Sequence, residues 1–310
     1  MAPKVLLTRV TGFVGGTAFS KIHDSYPDYD YTIYIRSVER AKVIAEEYPN
    51  VKFVYGDLES TDAIEKVASE ADVVVYTAES ADSPSAAKAI AKGLAASHSD
   101  KNPGYYIHLS GAGILTWYDL RNNRYGKPPL PEQCYNDIKD IGRIFDLPEE
   151  AIHKEVDNIV QNIDSGLGLF NKRSMTVPVL AQATFDLGYT PAVGAGEAKW
   201  NHVHVEDLAE FPNKSVEASQ DPFKKDNPEI WGKRGYYFVD GGPEAHSITF
   251  EDVVKKGYKA GLAWGINSKG EGERARKYLG WEPKAPSIKE TIAESVALEA
   301  EILSVEAKYK

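Results

Sequence analysis

Short apolar runs alternate with helix-like segments along residues 4–109, and this alternation limits the fold more than any other feature of the sequence. The run at 4–8 is followed by a glycine-containing turn, and residues 17–25 then have a helical pattern. Repeated units of strand, turn and helix build a doubly wound parallel sheet. Four more strands are predicted at 31–36, 51–55, 72–77 and 105–109, with helices at 39–48, 61–69 and 85–97. The sequence therefore predicts an α/β fold with helices on both faces of the sheet.

The turn after the first strand has the composition of a nucleotide-binding loop. It reads TRVTGFVGG over residues 8–16, with two glycines three positions apart at the corner between strand and helix. Glycine there lets bare backbone approach a pyrophosphate, whose charge the helix N-terminus attracts. A glycine pair alone also fits a simple tight turn, but the surrounding alternation favours a dinucleotide-binding Rossmann domain. The loop residues predicted to contact the dinucleotide are Thr8, Thr11, Gly12, Phe13, Val14 and Gly15.

The end of the second predicted strand favours NADP over NAD. An acidic residue that would hold a ribose 2′-hydroxyl is missing there, and Arg36, Ser37 and Arg40 are instead suited to a 2′-phosphate. The alternative is that both arginines are solvated residues at the start of a helix. Ligands of open α/β sheets bind at the carboxyl ends of the strands. The residues predicted there are Asp57 and Leu58 beside the adenine, and Thr77, Ala78 and Ser110 after the next two strands.

The pattern is looser beyond residue 112. Residues 122–133 contain three prolines and are predicted as a surface loop, whereas 148–163 are predicted as an amphipathic helix. Further elements are predicted as a strand at 236–239 and helices at 177–187, 249–260, 270–279 and 287–307. We expect a dinucleotide-binding domain at 1–165 and a substrate-side region at 166–310, which forms a small C-terminal α/β domain. Part of that region, about 196–240, is expected to return to the Rossmann sheet.

Charge and composition narrow the classes of partner. A net charge of −10 disfavours binding to nucleic acid or to acidic membranes, which requires a dense basic surface. No apolar run reaches the roughly 18 residues of a membrane span, and no signal peptide is recognisable, so a cytoplasmic location is expected. The single cysteine, Cys134, excludes an internal disulfide and a cysteine-based metal site. We expect a small-molecule substrate, no metal, and a monomer or homodimer.

Several segments together resemble a known family. They are TGFVGG at 11–16, the stretch 77–93, HLSG at 108–111, the helix at 153–160, WNHVHVEDL at 200–208 and LGWEP at 279–283. Over nearly the whole chain they resemble the extended, atypical short-chain dehydrogenase/reductases, and most closely the fungal NmrA-like and NAD-dependent epimerase/dehydratase-type members. The resemblance implies a Rossmann domain, a small C-terminal substrate domain and bound NADP(H) or NAD(H).

The chain departs from the family pattern at two structural positions. Arg9 stands where the loop usually has glycine, so its side chain would crowd the tight turn, although a guanidinium could also pair with phosphate. After Asp164 the family normally supplies another apolar strand, but here residues 164–166 run directly into LGLFNKRS at 167–174. If that strand is truly absent, the sixth position of the sheet is vacant or filled from elsewhere and the nicotinamide site is compromised; the sequence leaves the presence of the strand open.

A third departure concerns catalysis. The resemblance implies a serine, assigned to Ser110, and a Tyr-x-x-x-Lys pair whose tyrosine exchanges a proton. Tyr135 and Lys139 have that spacing, whereas His153 and Asp157 begin the helix that corresponds to the family's Tyr-Lys helix. A histidine oriented by a carboxylate could move the proton near neutral pH. The structural alternatives are a partly buried tyrosine beside a solvated lysine, and a polar pair at a helix start.

These observations predict an NADP(H)-binding oxidoreductase that acts on a small hydrophobic carbonyl or imine compound. Redox-assisted isomerisation or cyclisation in fungal secondary metabolism is a variant of the same prediction. One alternative is a non-catalytic NADP(H)-sensing regulator of the NmrA type. Another is a non-redox cyclase or epimerase on the same fold.

Overall fold

Six parallel strands form the central sheet of the computed structural model, which describes residues 2–99, 101–161, 167–169, 180, 183–185, 193–245 and 265–302. The first five strands are β1 (Lys4–Thr8), β2 (Asp30–Ile35), β3 (Lys52–Tyr55), β4 (Val73–Tyr76) and β5 (Tyr105–His108). A short strand outside this sheet, β6 (Cys134–Asn136), precedes the last member, β7 (Leu167–Leu169). The spatial order is β3-β2-β1-β4-β5-β7. The doubly wound Rossmann sheet predicted from the sequence is therefore confirmed.

Helices cover the sheet in two groups. Those up to the sheet's last strand are α1 (Phe13–Ser25), α2 (Val38–Glu47), α3 (Thr61–Ser69), α4 (Pro84–Ser97), α5 (Trp117–Asn122), α6 (Ile141–Phe145) and α7 (Lys154–Gln161). Two more follow, α8 (Val205–Gln220) and α9 (Ile288–Ile302). Helix α1 packs against α8, whereas α4 packs against both α3 and α7. The resulting layers bury the sheet on both sides, which is why every residue of β4 and β5 is buried.

The strand after residue 164, whose presence the sequence left open, is part of the sheet. Backbone pairing places Leu167, Gly168 and Leu169 in parallel register with Tyr106, Ile107 and His108 of β5. Three residues suffice to add a strand to a sheet edge, so the short sequence LGL escaped recognition as an apolar run. The central sheet thus extends beyond the domain boundary predicted at residue 165.

The C-terminal region forms small sheets of its own. Strand β8 (Lys199–Asn201) pairs antiparallel with β9 (Pro243–Ala245), and β10 (Lys269–Glu271) pairs in parallel with β6. The stretch predicted to return to the Rossmann sheet does so through α8, which contacts β4 and β5, while its strand β8 pairs elsewhere. Among the described residues, no helix is long and apolar enough to cross a membrane.

Three secondary-structure predictions in this region are wrong or shifted. Residues 236–239 are largely buried, but only Tyr236 has bridge geometry, and the Asp137 carboxylate accepts the Phe238 N–H at 2.9 Å. The helix predicted at 270–279 is β10 followed by a single π-helical turn, Ala275–Leu279. Helix α7 begins only at Lys154, because His153 has a left-handed backbone with φ of +72°. The predicted helix 249–260 and most of 177–187 lie outside the described residues.

Candidate active site

The loop after β1 leaves the N-terminus of α1 open. Gly12 is the N-cap residue, its N–H donates to the Arg9 carbonyl at 2.8 Å, and no side chain caps the helix. The first turn of α1 also contains no acidic residue. The first N–H groups of a helix have no partner inside it and carry partial positive charge, so an uncapped end attracts an anion. The loop therefore fits the pyrophosphate of a dinucleotide.

Gly15 is required by close packing. A methyl group on it would lie 2.7 Å from the Thr77 hydroxyl and closer still to the Arg9 carbonyl, distances that real side chains do not adopt. Thr8 and Thr77 fasten this corner: the Thr77 hydroxyl donates to the Thr8 carbonyl at 2.7 Å, and the Thr8 hydroxyl accepts the N–H groups of Thr77 and Ala78. The hydroxyls of both threonines thus hold the ends of β1 and β4 together beneath the loop.

The remaining predicted loop residues differ in exposure. Thr11 and Phe13 are exposed, and 62% of Phe13 is accessible although it is a large aromatic side chain. Val14 is buried and helps line a small apolar pocket with Val75, Leu208 and Phe211. Phe13 is therefore accessible to a ligand at the loop, whereas Val14 anchors the helix start in the core.

Two unpaired guanidinium groups follow β2. Ser37 caps α2 by accepting the Arg40 N–H at 3.2 Å, which fixes the backbone between the two arginines. Arg36 and Arg40 are both exposed, and their guanidinium groups have no hydrogen-bond or ion-pair partner among the described residues. Free guanidinium groups at this corner provide the donors that a phosphate requires.

The end of β3 is held against the end of β2. The Tyr34 hydroxyl donates to the Asp57 carbonyl at 2.8 Å, and the Asp57 carboxylate accepts from the Ser60 hydroxyl at 2.7 Å. That hydrogen bond from Ser60 holds the pKa of Asp57 below its usual value. Asp57 is exposed and Leu58 packs partly against the core. The structure therefore places both residues at the sheet edge that carries the loop.

A buried polar cluster follows β5. The Ser110 hydroxyl donates to one carboxylate oxygen of Asp157, and the Tyr236 hydroxyl donates to the other at 3.3 Å. Ser110 and Tyr236 are only 5% and 4% exposed, and Asp157 is fully buried. Burial raises the pKa of Asp157 to about 6, although the hydrogen bond from Ser110 and the nearby His153 oppose the shift. This carboxyl group therefore changes protonation near neutral pH.

His153 forms a second polar pair beside this cluster. Its Nδ1 lies 2.7 Å from an Asp82 carboxylate oxygen, and its ring packs against the backbone of Gly111 and Gly113, just beyond Ser110. A side chain at Gly111 would collide with the imidazole. Nε2 has no hydrogen-bond partner among the described residues. A carboxylate that fixes Nδ1 and leaves Nε2 free is the arrangement of an acid/base histidine.

An apolar pocket opens beside Ser110. Its lining combines apolar side chains such as Ile114, Leu115 and Val239 with the polar side chains of Ser110, Asn201, Asp240 and Ser268. A mainly apolar wall with a few placed polar groups is typical of a site that orients a small ligand. Among the described residues, no group of three or more histidine, cysteine, aspartate or glutamate side chains could hold a metal ion.

Comparison with known proteins agrees with the geometry of the loop. Residues 10–130 match the model of a family described as NAD(P)H-binding. This segment is therefore similar to NAD(P)H-binding domains. The match starts inside the loop at 8–16 and includes the ends of β2 to β5, so the nucleotide site and Ser110 lie on one continuous domain.

Relatives of the whole chain are enzymes. An oxidase of an Acremonium species, Oxidase ucsJ, is 28% identical over an alignment of 351 positions that covers 98% of this chain and 100% of the oxidase. A dTDP-glucose 4,6-dehydratase from Streptomyces venezuelae, solved with NAD bound, shares 14% identity and a TM-score of 0.62 over 99% of this chain and all of its own. A nucleoside-diphosphate-sugar epimerase from Pseudomonas aeruginosa shares 12% identity and a TM-score of 0.64, over 97% of this chain and 99% of its own. The chain thus has the fold of the epimerase/dehydratase proteins.

The Tyr135–Lys139 pair does not form. Tyr135 is buried in strand β6, where its hydroxyl accepts from the Trp117 indole N–H at 3.3 Å. Lys139 lies in the following turn with 67% of its side chain exposed, and its ammonium group is 2.6 Å from Glu273. A strand followed by a turn cannot place residues four apart on one helical face. The prediction that these two residues share a face is therefore wrong.

The prediction for His153 and Asp157 is partly wrong. Both side chains approach the end of β5, but the carboxylate that orients His153 is that of Asp82. Asp157 instead accepts hydrogen bonds from Ser110 and Tyr236. Sequence reasoning missed Asp82 and Tyr236, since they lie 71 and 79 residues from their partners. The one available signal for Asp82 was its position shortly after β4, at the ligand-binding edge of the sheet.

Proposed function

We propose that the protein is an NADP(H)-dependent oxidoreductase that acts on a small hydrophobic carbonyl or imine compound. The observation that carries this proposal is the buried Ser110–Asp157–Tyr236 cluster at the carboxyl end of β5, on the same domain as the NAD(P)H-binding loop. The relative named as an oxidase supports redox chemistry, and a role in fungal small-molecule metabolism fits that relative.

The preference for NADP rests on the corner after β2. A 2′-phosphate would find Arg36 and Arg40 exposed and unpaired among the described residues, beside a helix start that Ser37 caps and that carries the acidic Glu39. For NAD, the corner lacks a carboxylate directly after the strand to accept the ribose hydroxyls, because Ile35 is followed by Arg36 and Ser37. The bound cofactor would supply or accept a hydride at its nicotinamide ring.

Ser110 orients the substrate oxygen or nitrogen by donating a hydrogen bond to it. The protonation state of Asp157 determines whether the Ser110 proton is available for that hydrogen bond. When Asp157 is ionised, the Ser110 hydroxyl donates to it and has no proton left for the substrate. When Asp157 is protonated, its own hydroxyl can donate to Ser110 and the Ser110 proton can turn to the substrate. Tyr236 continues to donate to the other carboxylate oxygen in both states. Protonation of the buried Asp157 carboxyl group thus allows Ser110 to polarise the substrate.

His153 exchanges the proton that reduction or oxidation requires. Asp82 holds Nδ1 and leaves Nε2 free. In the reductive direction Nε2 gives a proton to the substrate oxygen or nitrogen as negative charge develops on it, and in the oxidative direction Nε2 takes that proton back. The substrate would lie in the pocket beside Ser110, where Ile114, Leu115 and Val239 favour a hydrophobic body and Asn201 and Ser268 offer polar groups to a carbonyl or imine.

The test is turnover with a panel of ketones and cyclic imines plus NADPH, and of the matching alcohols and amines plus NADP. We expect net cofactor oxidation or reduction by the wild type and a loss of about 100-fold or more in His153→Gln. Asp82→Asn should lose less, since it orients the imidazole without exchanging the proton. NADPH binding without turnover would overturn the proposal in favour of a sensor. Product formation without net cofactor turnover would overturn it in favour of a non-redox epimerase or cyclase.

A further inference from the structure

Two residues with strained backbones face each other across the nucleotide loop. Arg9, at the end of β1, has φ of +50°, and Glu79, after β4, has φ of +45°. Side chains with a Cβ rarely adopt this left-handed conformation, which costs about 1–2 kcal/mol per residue. The Arg9 guanidinium lies 3.5 Å from the Glu79 carboxylate. The chain thus keeps an arginine where glycine would fit without strain.

The Arg9 side chain crosses the open start of α1. A methyl group built on Gly12 would lie 3.0 Å from Arg9 Cγ and 3.1 Å from Nε, so the arginine stem runs directly over the N-cap residue. That helix end has no side-chain cap and no acidic residue in its first turn. The guanidinium is therefore held within reach of any phosphate that binds there.

The ion pair with Glu79 is weak enough to be exchanged. The side chains of Arg9 and Glu79 are 41% and 68% exposed, and the distance of 3.5 Å is long for a charge-assisted hydrogen bond. Exposed pairs of this kind contribute only about 0–1 kcal/mol. A phosphate at a helix N-terminus offers a guanidinium two acceptor oxygens and more negative charge than one solvated carboxylate.

We propose that Arg9 is a ligand of the dinucleotide pyrophosphate and that Glu79 holds its guanidinium until the phosphate replaces the carboxylate. This inference rests on the proposed function, since it assumes that the dinucleotide binds in the loop at 8–16. It assigns a use to the backbone strain at position 9: the left-handed conformation directs the side chain back over Gly12.

The experiment measures dissociation constants of NADPH, ADP-ribose and 2′-AMP by calorimetry. The first two contain the pyrophosphate, and the third has only the adenosine and the 2′-phosphate. In Arg9→Gly, we expect about tenfold weaker binding of NADPH and ADP-ribose, the loss of one hydrogen bond to a charged group, and unchanged binding of 2′-AMP. Glu79→Gln removes the competing carboxylate and should tighten NADPH binding by up to about fivefold.

Glycine relieves the strain at position 9, so Arg9→Gly should be at least as thermostable as the wild type, and weaker binding cannot be attributed to misfolding. Arg121→Gln is the matched control, because Arg121 forms a similar exposed pair with Glu150 at 3.4 Å. Arg9→Gly that binds NADPH as tightly as the wild type, or more tightly, overturns the role of Arg9 alone. A wild type that binds neither NADPH nor ADP-ribose overturns both this inference and the proposed function.

Discussion

The nucleotide end and the catalytic end of this sheet are assembled in different ways. At the nucleotide end, the glycine turn and the Ser37 cap are closed by hydrogen bonds between residues three positions apart, although Thr8 and Thr77, 69 positions apart, fasten the turn to the end of β4. At the catalytic end, Asp157 joins residues 47 and 79 positions distant, and His153 joins one 71 positions distant. Local spacing therefore describes the first region well and misleads in the second.

The two regions also differ in electrostatics. Arg9, Arg36 and Arg40 are exposed charges that water solvates until a ligand arrives. Asp157 is a fully buried carboxyl group whose pKa burial raises to about 6. The exposed arginines of the nucleotide end thus stay charged with little desolvation cost, whereas the carboxyl group of the catalytic end is buried and can hold a proton.

Loss of the Ser110 hydroxyl should produce the largest effect. In Ser110→Ala, we expect turnover to fall by about 100- to 1000-fold, which is the usual consequence of removing one donor to a developing oxyanion. The dissociation constant of NADPH should stay within about twofold, since Ser110 lies at the catalytic end. Steady-state kinetics and NADPH titration separate the two. Ser97→Ala, on the surface of α4, is the control, and equal turnover in both variants would contradict the account.

Removal of the two arginines after β2 tests the nucleotide end. Arg36→Ala/Arg40→Ala should weaken NADPH binding by about 30-fold or more, since each guanidinium loses charge-assisted hydrogen bonds to the 2′-phosphate. NADH binding should change little. Lys42→Ala removes an exposed charge from the same helix and serves as the control. Equal weakening of NADPH and NADH binding would show that the arginines do not contact the 2′-phosphate.

The pH dependence distinguishes the buried carboxyl group from the exposed charges. Because only protonated Asp157 leaves the Ser110 proton for the substrate, the rate of reduction should fall up to about tenfold per pH unit above the Asp157 pKa of about 6. In Asp157→Asn, the amide N–H replaces that proton, and this part of the profile should become flat. A wild-type profile that stays flat from pH 5 to 8 would contradict the role of Asp157.

The free energy of unfolding should also depend on pH through Asp157, and the direction of that dependence follows from its pKa shift. The pKa of Asp157 is raised from 3.8 in the reference state to about 6 in the folded protein, so the folded state binds the proton more tightly. Its stabilising contribution is complete below pH 3.8 and is lost as the pH rises through 6. Asp157→Asn should therefore unfold at a temperature that depends less on pH across this window, as thermal denaturation can show.

The smallest effect is expected at the residues with the family spacing. Tyr135→Phe removes a hydroxyl that only accepts from Trp117, and Lys139→Gln breaks an exposed ion pair with Glu273. Turnover should stay within about twofold in both, since neither residue reaches the cluster after β5 and exposed pairs contribute little. A loss of about 100-fold in Lys139→Gln would restore the Tyr-x-x-x-Lys prediction.

The sequence predicted most of what depends on periodicity. Buried parallel strands are continuous apolar runs, so β1 to β5 were located to within a residue or two, and Gly12 and Gly15 marked the loop. It could not predict β7, because three residues show no periodicity, nor that Phe238 and Tyr236 donate hydrogen bonds to Asp137 and Asp157, which lie far away along the chain. Partners chosen by tertiary packing, such as Asp82 for His153, leave no local pattern.

The most direct test is a crystal structure with NADPH bound. The account predicts the pyrophosphate over Gly12 at the start of α1, the 2′-phosphate between Arg36 and Arg40, and the nicotinamide at the end of β5. The nicotinamide would then face the pocket lined by Ser110 and Gly111, the glycine against which His153 packs. A nicotinamide beside Tyr135 and Lys139, or a dinucleotide bound away from the loop at 8–16, would contradict it.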